Sequence, residues 1–296
     1  VTFSSFDPLV LARISGLALR ARYVVEGLIS GLHRSPYQGH SVEFAEHREY
    51  TPGDEIRHVD WKVYGRQDRF FVKRFEEETN LRAVIMVDCS ASMSFGTSGM
   101  AKYDYAATLA TSLAYLLLRQ RDAVGLILFR GSVAEYVPPR ANPDHLHRIV
   151  SALDRGVPSG ETDLARVVEE ASGKLRRRGL IVVISDLLEE PSTVIRGLVR
   201  FRHRKNEVVV LHLLDPAEIT LPFSGVHRFI DPETGQRLII DPDAVRREYR
   251  RRMTELIERY RGEILGGDME YSHLTTDQGL DKALVRFLVH REGLIH

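Results

Sequence analysis

Cysteine is almost missing from this sequence. Cys89 stands alone among 296 residues, so no intrachain disulfide can form and no cysteine-based zinc site can be built. An excess of either charge is missing too: 41 basic side chains balance 41 acidic ones. No global basic field is available to hold nucleic acid, although a local basic stripe stays open. Every long apolar stretch is broken by charge well short of the ~18 residues that a membrane span needs. Val1 to Asp7 carry no basic segment leading into an apolar one, so neither a span nor a secretory leader is expected. These absences point to a soluble chain of the reducing cytoplasm. No repeat and no low-complexity segment occurs either. What is present, 43% hydrophobic and 28% charged residues, excludes disorder and collagen-like structure and supplies a sizeable core.

Asp7 and Pro8 read as N-cap and first residue of a helix whose apolar face carries Leu11, Ile14, Ala18, Ala21, Val25 and Leu28. That helix should dock on a larger body. Strand-like runs follow at Ser41 to Tyr50 and at Arg69 to Glu77, with a turn at Thr51-Pro52-Gly53-Asp54. Residues 1–80 thus read as an N-terminal helix with a strand-rich extension, and residues 81–296 as the main domain. From Leu81 buried strands alternate with amphipathic helices. Strands are expected at 83–87, 123–129, 180–185 and 207–214, with 133–137 as a hairpin partner of the second, and helices lie between them. Such a βαβ series implies a doubly wound, mostly parallel α/β sheet. A hairpin about Asp231 to Gly235, a long helix through Val245 to Tyr260 and a last helix through Leu280 to Leu288 complete the chain.

The informative string is Val84-Ile85-Met86-Val87-Asp88-Cys89-Ser90-Ala91-Ser92, a buried strand running into Asp-x-Ser-x-Ser. Open parallel sheets bind ligands at the carboxyl ends of their strands. One carboxylate and two hydroxyls there suit a hard divalent cation, which takes oxygen ligands. Thr162, in a loop entering a helix, and Asp186, at the end of the strand Leu180 to Ser185, bring two further oxygens to neighbouring positions. The alternative use of the same residues is structural: Ser90 and Ser92 capping a helix, Asp88 and Asp186 serving loop hydrogen bonds. Five oxygen positions on three strand ends favour the metal. Cys89 should point into the sheet as core.

These residues resemble the von Willebrand factor A (Rossmann-like) fold, whose metal-ion-dependent adhesion site reads Asp-x-Ser-x-Ser, a distant Thr, then an Asp. Asp88, Ser90, Ser92, Thr162 and Asp186 match it in order. The resemblance implies Mg²⁺ or Mn²⁺ held by these five, with one position open to a carboxylate from a partner protein. A second stretch, Gly31-x-His33-Arg34-Ser35, Gly39, Glu43-Phe44, Arg48-x-Tyr50-x-Pro52-Gly53-Asp54-x-x-Arg57-x-x-Asp60-Trp61-Lys62 and Arg66, is similar to the prokaryotic "domain of unknown function 58" branch of those proteins. Members often occur beside MoxR-type AAA+ ATPases, and many carry an N-terminal transmembrane pair that this sequence lacks. Read physically, Arg48, Arg57 and Arg66 with Asp54 and Asp60 form an ion-pair lattice around Trp61; read functionally, they are a docking surface for an acidic partner or nucleic acid.

The expectation is a non-enzymatic protein-interaction module with such a site, an adaptor or co-chaperone of a MoxR-type AAA+ ATPase or its client. One rival is a metal-dependent phosphohydrolase or nuclease, which needs a nucleophile or base beside the metal, and the site loops hold no histidine. Another is a nucleic-acid binder built on the arginine-rich extension. His40, His47, His145 and His147 fit no metal spacing, and the arginines from Arg246 to Arg252 alternate with glutamates as a solvated helix face does.

Overall fold

The computed structural model describes residues 16–34, 47–49, 71–73, 81–175 and 177–285. The chain divides into two compact units, Ser30–Asn80 and a larger one that joins Val1–Ile29 to Leu81–His296. In the smaller unit, β1 (His47–Glu49) and β2 (Phe71–Lys73) pair antiparallel, His47 opposite Lys73. They lie inside the two strand-like runs. Asp7, Pro8, the turn at 51–54, Arg57, Trp61, Arg66, Phe287 and Leu288 fall outside the described residues.

The larger unit is built on β3 (Arg82–Asp88), β4 (Ala123–Phe129), β5 (Val133–Arg140), β6 (Leu180–Ser185), β7 (Glu207–Leu214) and β10 (Glu270–Thr275). Their order is β10-β7-β6-β3-β4-β5, parallel throughout except for the β4–β5 hairpin. Strand side chains alternate between two faces. Ala83, Ile85 and Val87 enter one core and Val84 and Met86 the other, and β6 and β7 do the same. The first core is closed by α1 (Leu17–Arg34), α2 (Lys102–Arg119), α3 (His145–Arg155) and helical residues 280–285; the second by α4 (Leu164–Lys174) and α5 (Pro191–His203). This is the doubly wound, mostly parallel α/β sheet expected from the sequence. As expected of the first helix, α1 docks on the sheet body: Leu17, Ala21, Val24, Val25 and Leu28 are buried.

After β7 come a short helix α6 (Pro216–Thr220), the exposed hairpin β8 (His227–Ile230) with β9 (Arg237–Ile240), and the long helix α7 (Pro242–Gly266). Tyr260 and Ile264 of α7 are buried in the second core. On its outer face Arg251 pairs with Glu248 and Glu255, as expected of a solvated stripe. Arg246 and Arg250 do more: they donate to the carbonyls of Leu221, Phe223 and Thr220 and so hold the chain leading into β8.

The edge strand β10 was not expected, and it carries a charge problem. Glu270 is half-buried, and burial first, then the charge of Glu207 on β7, push its carboxyl up to about 7. A raised folded pKa favours the protonated form, so stability present in acid is lost as pH rises through about 7. Glu270→Gln should therefore raise the melting midpoint at pH 8 and leave it nearly unchanged at pH 5. Equal shifts at both pH values would show that Glu270 acts through packing rather than charge.

Candidate metal centre

The site lies where the strand order reverses, at the carboxyl ends of β3, β4 and β6, the place where open α/β sheets bind ligands. β3 delivers Asp88, wholly buried, with Oδ1 accepting from the Ser90 amide at 2.9 Å and Oδ2 from the Ser185 hydroxyl at 2.6 Å. The Ser90 and Ser92 hydroxyls are 3.0 Å apart, and Ser92 Oγ donates to Asp186 Oδ2 at 2.7 Å. Two carboxylates from neighbouring strand ends are thus linked through Ser90 and Ser92, while the Ser185 hydroxyl holds Asp88 from its other oxygen. The turn that aims Asp186 inward is tight: Leu187 has a positive φ of 49°, and its amide donates to Ser185 Oγ at 3.0 Å.

Thr162 reaches the same end of the sheet through backbone bonds. The Ala91 amide donates to the Gly160 carbonyl at 2.9 Å and the Ser159 amide to the Cys89 carbonyl at 3.0 Å. Gly160 has a φ of +74°, which a side chain would oppose, so glycine lets the loop turn here. One residue beyond Thr162, Asp163 caps α4 by accepting from the Arg166 amide at 2.9 Å. The Thr162 hydroxyl is buried and has no hydrogen-bond partner. Asp88, Ser90, Ser92 and Asp186 therefore form one bonded chain, and the Thr162 hydroxyl takes no part in it.

The structural alternative predicts that the serines cap a helix and that Asp88 and Asp186 serve loop hydrogen bonds; the second half holds, Asp88 accepting from the Ser90 amide and Asp186 from the Ser92 hydroxyl. Ser90 does precede a 3₁₀ turn, Ala91–Ser94, yet its side chain makes no capping bond. Cys89 is buried in the first core, as expected. Among the described residues no three His, Cys, Asp or Glu side chains converge on a metal position. Two carboxylates and three hydroxyls make up the candidate set, a donor chemistry suited to a hard cation.

Four residues of the centre escape sequence reasoning: Lys102, Glu218, Ser185 and His212. The Lys102 ammonium, fully buried, donates to Asp186 Oδ2 at 2.7 Å and Glu218 Oε1 at 2.5 Å. Burial alone would lower its pKa, but those two carboxylates more than offset this and hold it charged. Asp88 is pushed well above the carboxylate range, by burial first and then by the charge of Asp186, against the Ser185 and Ser90 hydrogen bonds. Asp186 and Glu218 thus share a single ammonium, which makes no contact with Asp88. The pocket has a negative surplus that a divalent cation would balance.

His212 on β7 lies behind Asp186, with Nε2 2.9 Å from its carbonyl oxygen and Nδ1 2.7 Å from the Tyr271 hydroxyl. A carbonyl can only accept, so Nε2 carries the proton and the tyrosine hydroxyl donates to Nδ1. Burial, with His273 adding to it, drops its pKa to about 3, so the ring is neutral. On the outer side Asp215 accepts from Thr97, Ala217 and Thr276, stapling the loop after the 3₁₀ turn to the end of β7. Burial pulls its carboxyl upward, and these bonds leave it below the usual range.

Residues 46–259 match the family model described as "Protein of unknown function DUF58". The chain belongs to the DUF58 family. This DUF58 chain is 30% identical over 290 residues to "Uncharacterized protein Rv1480" of Mycobacterium tuberculosis, spanning 96% of this chain and 90% of that one. Among solved structures, the DUF58 chain is similar to BatB from Bacteroides thetaiotaomicron, at 17% identity and a TM-score of 0.46 over 71% of this chain and 98% of that one. It is also similar to the SpRpn10 VWA domain, at 12% identity and a TM-score of 0.43 over 70% of this chain and 94% of that one.

Proposed function

We propose that this chain is a protein-interaction module in which Asp88, Ser90, Ser92, Thr162 and Asp186 hold Mg²⁺ or Mn²⁺ and, through it, an acidic side chain of a partner. The observation that carries this reading is the Thr162 hydroxyl, buried without a partner in the loop whose Gly160 carbonyl accepts from the amide of Ala91, between Ser90 and Ser92. A buried hydroxyl that the protein leaves unbonded is open to a ligand or a water. The bound ion would supply a positive centre for an incoming carboxylate. Ser185 and the Ser90 amide hold Asp88 in place, Ser92 ties Asp186 to Ser90, and His212 fixes the Asp186 backbone.

An interaction role, rather than hydrolysis, is supported by the state of these groups. A hydrolase needs a base with a free atom to take a proton from water. His212 is neutral, buried and bonded at both nitrogens, and Asp88 is bonded at both oxygens. For the partner we propose a MoxR-type AAA+ ATPase or its client, the class that the family resemblance suggests. No helix among the described residues is long and apolar enough to cross a membrane.

The test is capture of a purified MoxR-type ATPase by wild type, Thr162→Ala and Asp186→Ala, each in Mg²⁺ and in EDTA. Retention by wild type in Mg²⁺ alone is the expected result. Equal capture in all lanes, or phosphodiesterase activity lost in Asp88→Ala, would favour a rival.

A further inference from the structure

Lys102 is out of place by local rules. It is the first residue of α2, following the N-cap Ala101, where the helix dipole disfavours a cation. It is also a lysine with no exposed surface. Both costs are offset by Asp186 and Glu218, and Glu218 is itself fixed by α6, where its Oε2 accepts from the Asp215 amide at 2.8 Å. The ammonium therefore has a built socket that shares Asp186 with the hydroxyl cluster.

Asp186 Oδ2 serves two partners at once, the Ser92 hydroxyl on one side and the Lys102 ammonium on the other. We infer that Lys102 is the resident counter-charge of this site: it keeps Asp186 seated without metal and weakens divalent-cation binding, so that firm retention of the ion requires the partner's carboxylate. Lys102 is a positioning residue here, and the inference rests on the metal reading above. Two positive centres sharing one carboxylate in a water-poor pocket repel strongly. A partner's carboxylate restores the negative surplus, and linkage makes the effect reciprocal: metal tightens partner binding by the factor by which partner tightens metal binding.

Mn²⁺ itself is the probe, titrated into the full chain while free Mn²⁺ is followed by electron paramagnetic resonance. The variants are Lys102→Arg, which keeps the charge, and Lys102→Met with Glu218→Gln, which removes the ammonium together with one carboxylate left unpaired. Glutamine also suits the capping position of α6. The double variant is expected to bind Mn²⁺ at least about tenfold more tightly than wild type, with Lys102→Arg close to wild type. In EDTA its melting midpoint should fall below wild type, and Mn²⁺ should close the gap. Tight binding by the double variant where wild type shows none would support the inference equally. Wild-type binding with no gain in the double variant would overturn the inference and leave the metal reading standing. Absence of Mn²⁺ binding from all three proteins would overturn both.

Discussion

Lys102→Met, unfolded with urea in EDTA, is expected to lose about 3–5 kcal/mol relative to wild type, the usual cost of removing one partner from a buried ion pair. Methionine fills much the same volume, so little of this loss comes from packing. It comes from Asp186 and Glu218, which the ammonium contacts at 2.7 and 2.5 Å in a pocket where the lysine has no exposed surface. Without it both carboxylates must take up protons or stay charged and unpaired. Domains of this size are stable by only about 5–15 kcal/mol, so the variant should sit close to its unfolding threshold. Adding Glu218→Gln should recover part of the loss. A midpoint within error of wild type would mean that the ammonium contributes no more than an exposed pair, and the socket would lose its meaning.

Much of the sheet could be read directly from the sequence because its strands are buried on both faces. Leu180–Ser185 and Glu207–Leu214 are short, continuous apolar runs, and the structure places β6 and β7 over those same residues. β10 escaped because it is an edge strand with one neighbour. Its Glu-Tyr-Ser-His start offers neither an apolar run nor clean alternation, and its pairing with β7 comes from across the sheet. The oxygen set could be found because Asp88, Ser90 and Ser92 are local in sequence and strand ends mark where Asp186 belongs. Lys102 and Glu218 are separated by 116 residues, and each alone looks like an ordinary surface charge. The one signal was a lysine in the first turn of a helix, a local violation of the kind that marks functional sites. Tyr260, expected only as one apolar marker of α7, also donates to the Glu189 carbonyl at 2.9 Å, beyond the reach of any periodicity.

The metal reading gives Thr162 a property that no structural role would share. Its hydroxyl bonds to nothing in the protein, so removing it should cost the metal-free fold almost nothing. A ligand that binds only the native state raises stability with concentration; at Mg²⁺ tenfold above its dissociation constant the gain is about 1.4 kcal/mol, or about 3–6 °C in midpoint. The decisive measurement is thermal unfolding of wild type and Thr162→Val, each in EDTA and in Mg²⁺. The account predicts equal midpoints for the two proteins in EDTA, a rise of that size for wild type in Mg²⁺, and a smaller or absent rise for Thr162→Val. Identical wild-type midpoints in EDTA and in saturating Mg²⁺ and Mn²⁺, or a variant that responds to metal as fully as wild type, would contradict it.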